Sequence, residues 1–283
     1  MTESTASNAH RPADLPRAEI GVIGGSGLYT FLTDAVEVEV STPFGAPSDP
    51  PVIAEVAGRR VAFLPRHGRD HRHPPHRVNY RANLWALRAL GVRQVVAACA
   101  VGSLQADIPA GSLVSPDQVI DRTWGRERTV YDDEGAVVHV PFADPYCEPG
   151  RRAALRSASR SGLEVRDGAT LVVVNGPRFS SRAESRWHAA TGGNLVGMTG
   201  MPEASIAREL ALCYSCLAVV TDLDAGVEAG TGVTHAEVMA VFADRVEALR
   251  SLLLDVVAAL PATDEDCVCR HGLDGQRLPF ALP

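Results

Sequence analysis

The chain has 283 residues, 46% of them hydrophobic and 22% charged, with a net charge of -7. That is enough to bury the core of one large α/β domain, and the negative field argues against a general nucleic-acid or membrane-surface binder. All 27 basic residues are arginine, which excludes Schiff-base chemistry and a phosphate loop ending in Gly-Lys-Ser/Thr, so any anion must be held by Arg, His, hydroxyls or backbone N–H groups.

Residues 1–18 are polar, lack the apolar h-region of a signal peptide, and read as a disordered tail. Residues 19–262 read as a single domain and 263–283 as an irregular C-terminal extension. No apolar run is long enough to span a bilayer. A cytoplasmic protein without a membrane or nucleic-acid partner is expected.

A strand over 19–24 runs into Gly24-Gly-Ser-Gly-Leu28. The backbone N–H groups of this turn and the Ser26 hydroxyl can ring an anion, and the same glycines also suit a plain tight turn. Strands over 36–40, 51–56 and 60–65 follow. The last enters Leu64-Pro-Arg-His-Gly-Arg-Asp-His-Arg-His-Pro-Pro-His-Arg-Val-Asn-Tyr80, where four histidines and several arginines crowd behind a strand end. Three readings stand there. Arg66 can grip an oxyanion bidentately while His67 adds a donor; the segment can be a solvated basic loop; or His67, His71, His73 and His76 can hold a metal. The interleaved arginines oppose a dication, and Pro74-Pro75 prevents a helical His pair.

A helix over 81–90 and a strand over 94–100 lead into Cys99-Ala-Val-Gly-Ser-Leu104, whose small residues let a ligand approach the backbone. After a helix over 149–161 and a strand over 169–174 comes Gly176-Pro-Arg-Phe-Ser180. Ser181 with Glu184 forms a capping-box start for a helix over 181–191. A strand over 194–198 enters Gly197-Met-Thr-Gly-Met-Pro-Glu203, where Thr199 offers a hydroxyl and Met198 a soft apolar surface. A helix over 202–213 and a strand over 216–221 precede Asp222 and Asp224, within Ala218-Val-Val-Thr-Asp-Leu-Asp-Ala-Gly-Val227. Two carboxylates at a strand's carboxyl end stand where open α/β sheets keep their ligands, though an Asp-x-Asp there also serves as a cap or turn. The last helix spans 234–260.

Most of these strands are continuous apolar runs, which predicts a central mixed sheet flanked by helices on both faces. The six cysteines follow no secreted disulfide spacing. Cys213-Tyr-Ser-Cys216 reads as packed core, and Cys267-Val-Cys269 as a more exposed pair able to form a strained or intermolecular disulfide, with no role assigned.

Ile23-Gly-Gly-Ser-Gly-Leu28, Pro65-Arg-His-Gly68, Val78-Asn-Tyr-Arg-Ala-Asn83, Gly102-Ser-Leu104, Gly176-Pro-Arg-Phe-Ser-Ser-Arg-Ala-Glu-Ser185, Met198-Thr with Pro202-Glu, and Thr221-Asp-Leu-Asp224 occur in this order. Together they resemble the trimeric purine nucleoside phosphorylase family, in its S-methyl-5′-thioadenosine phosphorylase branch. The resemblance implies a cytoplasmic homotrimer in which inorganic phosphate displaces a purine from C1′ of a nucleoside, with no metal and no organic cofactor. It places Ser26, Arg66, His67, Cys99, Ala100 and Thr199 around phosphate, with Cys99 standing where some relatives have a hydroxyl. Phe179 and Ser180 would line the base, Met198 the ribose, and Asp222 and Asp224 the purine N7 and exocyclic amine. His235 would face the 5′ position, where the thioadenosine branch has a small apolar residue, which widens the expected substrates to adenosine and 5′-halogenated adenosines. Two other classes remain open from the residues alone: a purine-binding regulatory module, and a metallohydrolase built on the histidine loop.

Overall fold

The computed structural model describes residues 15–25, 28, 34–132, 137–227, 233–262 and 267–283. Its strands are β1 (Ile20–Gly24), β2 (Val36–Glu37), β3 (Val52–Val56), β4 (Arg59–Pro65), β5 (Gln94–Ser103), β6 (Leu113–Ser115), β7 (Gln118–Arg122), β8 (Val165–Asp167), β9 (Thr170–Val174), β10 (Leu195–Gly197) and β11 (Cys213–Leu223). Its helices are α1 (Tyr80–Ala89), α2 (Glu148–Arg160), α3 (Arg182–Ala190), α4 (Gly200–Glu209) and α5 (His235–Ala259). All the strands join one mixed sheet.

The long strand β5 organises that sheet. β1 and β11 both run parallel to it, one on each side, and β10 takes over antiparallel to β5 at Gly102 and Ser103. β4 lies parallel to β1, so the carboxyl ends of β4, β1, β5 and β11 share one edge. Alternation along the strands sorts side chains to the two faces. Val95, Ala97, Cys99 and Val101 of β5, with Tyr214, Cys216, Ala218 and Val220 of β11, pack in the same core as Leu84 of α1 and Ile206 of α4. Val96 and Ala98 of β5, with Leu217 and Val219 of β11, pack with Ala153 and Ala154 of α2 and Leu249, Leu252, Leu253, Val256 and Val257 of α5. Both faces are therefore covered, as the apolar runs predicted.

Several boundaries differ from expectation. The helix expected over 202–213 stops earlier because Ala211 takes φ 51, a left-handed conformation that an α-helix cannot continue through. Cys213 consequently opens β11 instead of closing α4. Three strands were not anticipated. β6 and β8 have three residues each, and β7 carries Gln, Asp and Arg among its five, so none displays a long apolar run. In the 1–18 segment, residues 1–14 lie outside the described residues, while Leu15 and Ala18 are buried in the core and Ala18 N–H bonds Leu90 O. The 263–283 extension packs on that core through Leu273, Leu278, Phe280 and Leu282. Cys267 and Cys269 are buried, at 6% and 2% exposure, and all six cysteines are free thiols, which corrects the expected exposed pair.

α5 begins with a capping box in which Thr234 and Glu237 satisfy each other's backbone N–H. Its C-terminal half buries one face, made of Leu249, Leu252, Leu253, Val256 and Val257, whereas His235 to Glu237 at its start are exposed. Truncating that buried face should loosen the whole helix. Leu253→Ala is expected to cost about 2–5 kcal/mol, read as a lower denaturation midpoint in urea with an unchanged slope.

Candidate active site

At the shared strand edge lies a cavity of about 430 Å³. Its floor is β5 from Ala98 to Gly102, and Ala100 is exposed although the β5 residues on either side are buried. One end of the cavity is basic and the other acidic.

The basic end is built on the turn after β4. Arg66 is 1% exposed, and its Nε and Nη2 donate to both carboxylate oxygens of Glu203, at 2.7 and 2.8 Å, while Nη1 donates to Ala98 O at 2.8 Å. Glu203, wholly buried on α4, also accepts from the Tyr214 hydroxyl at 2.8 Å. Burial, the largest single influence, lowers the guanidinium's pKa, but the Glu203 charge and its hydrogen bonds together outweigh it and the pKa is raised. The fork of Arg66 therefore grips Glu203, contrary to the expected bidentate hold on an anion. Two of its five N–H groups remain, one on each Nη.

His67 is also revised. Its Nδ1 lies 2.8 Å from His73 O, and a carbonyl can only accept, so Nδ1 carries the proton. Burial, helped by the Arg66 charge, pulls its pKa down to about 4. Near neutral pH the ring is uncharged and presents Nε2 as an acceptor, suited to the O–H of a partly protonated oxyanion. Cys99 lies in the cavity wall with its sulfur 3.3 Å from that of Cys216. Thr199, the N-cap residue of α4, makes no side-chain cap bond and faces the same space. Ser26 lies outside the described residues; its neighbours Gly25 and Leu28 line the cavity.

The acidic end is made by an irregularity in β11. The register with β5 shifts between Val220 and Asp222, which sets Asp222 beside Gly102. A Cβ at Gly102 would lie 2.8 Å from Asp222 Oδ1, so glycine here leaves the room that the carboxylate occupies. Burial pushes the Asp222 pKa up to about 6, against the lowering effect of the Thr221 hydrogen bond. Thr221 Oγ1 lies 2.7 Å from Asp222 Oδ2 and 3.2 Å from Val101 O. A hydroxyl has one proton, so Thr221 donates to one of these two acceptors at a time, and the shorter contact is the one to Asp222. Asp224 is 3% exposed, and its Oδ2 has no hydrogen-bond partner. Burial raises its pKa too, although the Ser180 and Ser185 hydroxyls are close enough to oppose the shift.

The remaining walls come from Phe179, Ser180 and Met198, and from His235, Val238, Met239 and Phe242 of α5. Gly176, at φ 63, leaves room for Met198: a Cβ there would lie 2.5 Å from the sulfur. Two residues that sequence reasoning gave no role hold these walls. Glu203 fixes Arg66. Arg126, 9% exposed, donates through Nη2 to Asn175 O and Met198 O, each at 2.9 Å, and through Nη1 to Met201 O at 2.5 Å. Nothing in the local pattern Gly-Arg-Glu-Arg marks Arg126, because its acceptors are backbone carbonyls remote in the chain. The histidine metal reading gains no support, since the donor set that the fold brings together among the described residues is a different one, made of cysteines.

A mixed sheet with a ligand cavity at its strand edge, cationic at one end and carboxylic at the other, defines an enzyme of the phosphorylase class. The chain belongs to the phosphorylase superfamily, whose profile matches residues 19–258. It is 58% identical over 279 residues to a purine nucleoside phosphorylase of Streptomyces coelicolor, covering 96% of this chain and 100% of that one. It is 53% identical over 267 residues to an S-methyl-5′-thioadenosine phosphorylase of Mycolicibacterium smegmatis, covering 93% and 99%. The structure of a methylthioadenosine phosphorylase from Schistosoma mansoni in complex with adenine superposes with a TM-score of 0.82 at 38% identity, covering 86% of this chain and 91% of that one.

Because Glu203 is the counter-ion that makes a buried guanidinium tolerable, its loss should be severe. Glu203→Ala is expected to cost about 3–5 kcal/mol in chemical denaturation.

Proposed function

We propose that the chain cleaves S-methyl-5′-thioadenosine, or a closely related 5′-modified adenosine, with inorganic phosphate, releasing adenine and a 5-substituted ribose 1-phosphate. The observation that carries this reading is the cavity's polarity: an acid with a pKa near 6 at one end and a buried cation at the other, joined by an exposed strip of backbone.

Cleavage of the C1′–N9 bond builds positive charge on the sugar and negative charge on the purine. Phosphate held by the free Arg66 N–H groups, Thr199, the Ala100 backbone, the Cys99 side and the Ser26 turn supplies the anion beneath C1′ and forms the new O–C1′ bond. His67 Nε2 accepts the phosphate hydroxyl and so orients it. Asp222, carrying its one proton on Oδ1, delivers it to N7 as the base departs, while the Thr221 hydroxyl donates to Oδ2 and steadies the carboxylate that remains. The unpaired Asp224 Oδ2 accepts from a 6-amino group, which favours adenine over a 6-oxo purine. Phe179 and Ser180 flank the base and Met198 the ribose.

At the 5′ side, Val238, Met239 and Phe242 present an apolar surface that suits a methylthio group. His235 stands at the same mouth, close enough to help lower the His71 pKa after burial has done most of it. That placement favours a second reading, in which a 5′-hydroxyl or 5′-halogen is accepted. No metal or organic cofactor is needed for either. None of the six cysteines is paired in a disulfide, which supports a cytoplasmic location, where sulfur stays reduced. No helix among the described residues is long and apolar enough to cross a membrane. A homotrimer completes the reading.

A substrate panel with and without phosphate tests the reaction. Free adenine should appear only with phosphate, fastest from S-methyl-5′-thioadenosine, with inosine slower by roughly 100-fold or more; release of base without phosphate would overturn the reading. His235→Val should raise the ratio of methylthioadenosine to adenosine turnover, and an unchanged ratio removes its 5′ role. Because Asp222 acts in its protonated form, its contribution is complete well below pH 6 and declines as pH rises through about 6. Comparing kcat/KM profiles at matched phosphate, wild type should show this descending limb and Asp222→Asn should lack it, with turnover down about 100-fold or more.

A further inference from the structure

Far from the cavity, four cysteines from three parts of the chain meet. Cys147 is the N-cap residue of α2 and makes no side-chain cap bond. Cys213 is the first residue of β11. Cys267 and Cys269 flank Val268 in a short helical turn after the described part of the tail resumes. Their exposures are 3, 5, 6 and 2%, and among the described residues they form a buried cluster of their own. All four sulfur atoms lie within 4.8 Å of one another, with Cys147 and Cys267 at 3.6 Å.

We propose that Cys147, Cys213, Cys267 and Cys269 form a structural Zn(II) site that clamps the C-terminal extension to the body of the domain. Pairwise disulfides require two separate close pairs at about 2.05 Å, and do not require four thiols to converge mutually. A tetrahedral ion with Zn–S bonds of about 2.3 Å requires that convergence, with sulfurs about 3.8 Å apart. Small side-chain rotations take the observed cluster to that spacing. Four soft sulfur donors and no open position select zinc over hard cations and make the site structural rather than catalytic.

Beyond the cluster the chain continues to Phe280, whose ring lies 5.4 Å from Trp85 and 5.1 Å from Tyr131. The extension is thus held at one end by sulfur and at the other by aromatic packing. Cys213 and Asp222 are nine residues apart on one strand, on the order of 30 Å, so the ion touches no reacting group.

The test uses the full chain, purified without chelator, with zinc measured by elemental analysis and intact mass recorded under native conditions. The expected result is one zinc per chain, released by a mercurial reagent that titrates four thiols. Replacing it with Co(II) should give the intense visible bands of tetrahedral cobalt thiolate in the wild-type protein. Cys147→Ser and Cys269→Ser should each lose the metal and melt at lower temperature, while Cys216→Ser keeps it. If these variants fail to fold, the wild-type metal content and cobalt spectrum still decide. The proposal is overturned by a metal-free chain with six titratable thiols that takes up no added zinc, or by a metal-free chain whose mass has lost four hydrogens, the mark of two disulfides.

Discussion

A guanidinium buried at the base of the cavity must be neutralised, and the pair it makes with Glu203 sets the positions of most of what surrounds it. Removing an arginine from water costs several kcal/mol unless every contact is well formed. Here the contacts come from four elements: the turn after β4 carries Arg66, α4 carries Glu203, β5 gives the Ala98 carbonyl, and β11 gives the Tyr214 hydroxyl. Satisfying one charge thereby fixes the mutual placement of the strands whose ends form the cavity. The two N–H groups left over then face a space in which the ionic fork itself cannot be displaced by a ligand. A cation that is already paired binds an anion without collapsing onto it when the site is vacated.

The same desolvation works with opposite sign at the other end. Asp222 and Asp224 have no arginine partner, so burial favours their neutral forms, against the pull of the hydroxyls beside them. The irregular register of β11 is what brings this about. A strand in regular pairing would have set Asp222 elsewhere along β5, and any residue larger than glycine at position 102 would have kept the carboxylate away. Strand irregularity, burial and proton affinity form one chain of cause.

Much of this was legible in the sequence, for reasons that can be named. Apolar runs such as those of β5 and β11 give buried strands, and the capping boxes at Ser181 and Thr234 give helix starts, because both signals are local. Asp222, Asp224, Arg66 and His67 were legible as residues at strand ends, and the fold brings all four to the cavity wall. Partnership was not legible. That Arg66 belongs to Glu203, that His67 donates to His73 and so accepts elsewhere, and that Arg126 ties the segments after β9 and β10 together through their carbonyls all depend on contacts that the local sequence does not show. The tail cysteines were misread for the same reason: composition suggested exposure, while the core that covers them is assembled from α2 and β11.

β11 carries both of the chemically distinctive clusters, cysteines at its first residue and carboxylates at its last turn of pairing with β5. Its middle is buried on both faces, packed against α4 on one and α2 and α5 on the other. A strand held this way cannot slide by one residue without turning every side chain to the wrong face. Fixing its start therefore constrains where its end can lie, and the geometry at Asp222 needs that constraint, since a neutral carboxyl transfers a proton only to an atom within hydrogen-bond reach. The clamp on the tail and the acid at the cavity are distant in space yet served by the same rigid element. α5 completes the division of labour: the buried face of its C-terminal half packs against this strand, and its start, with Val238, Met239 and Phe242, forms part of the cavity wall.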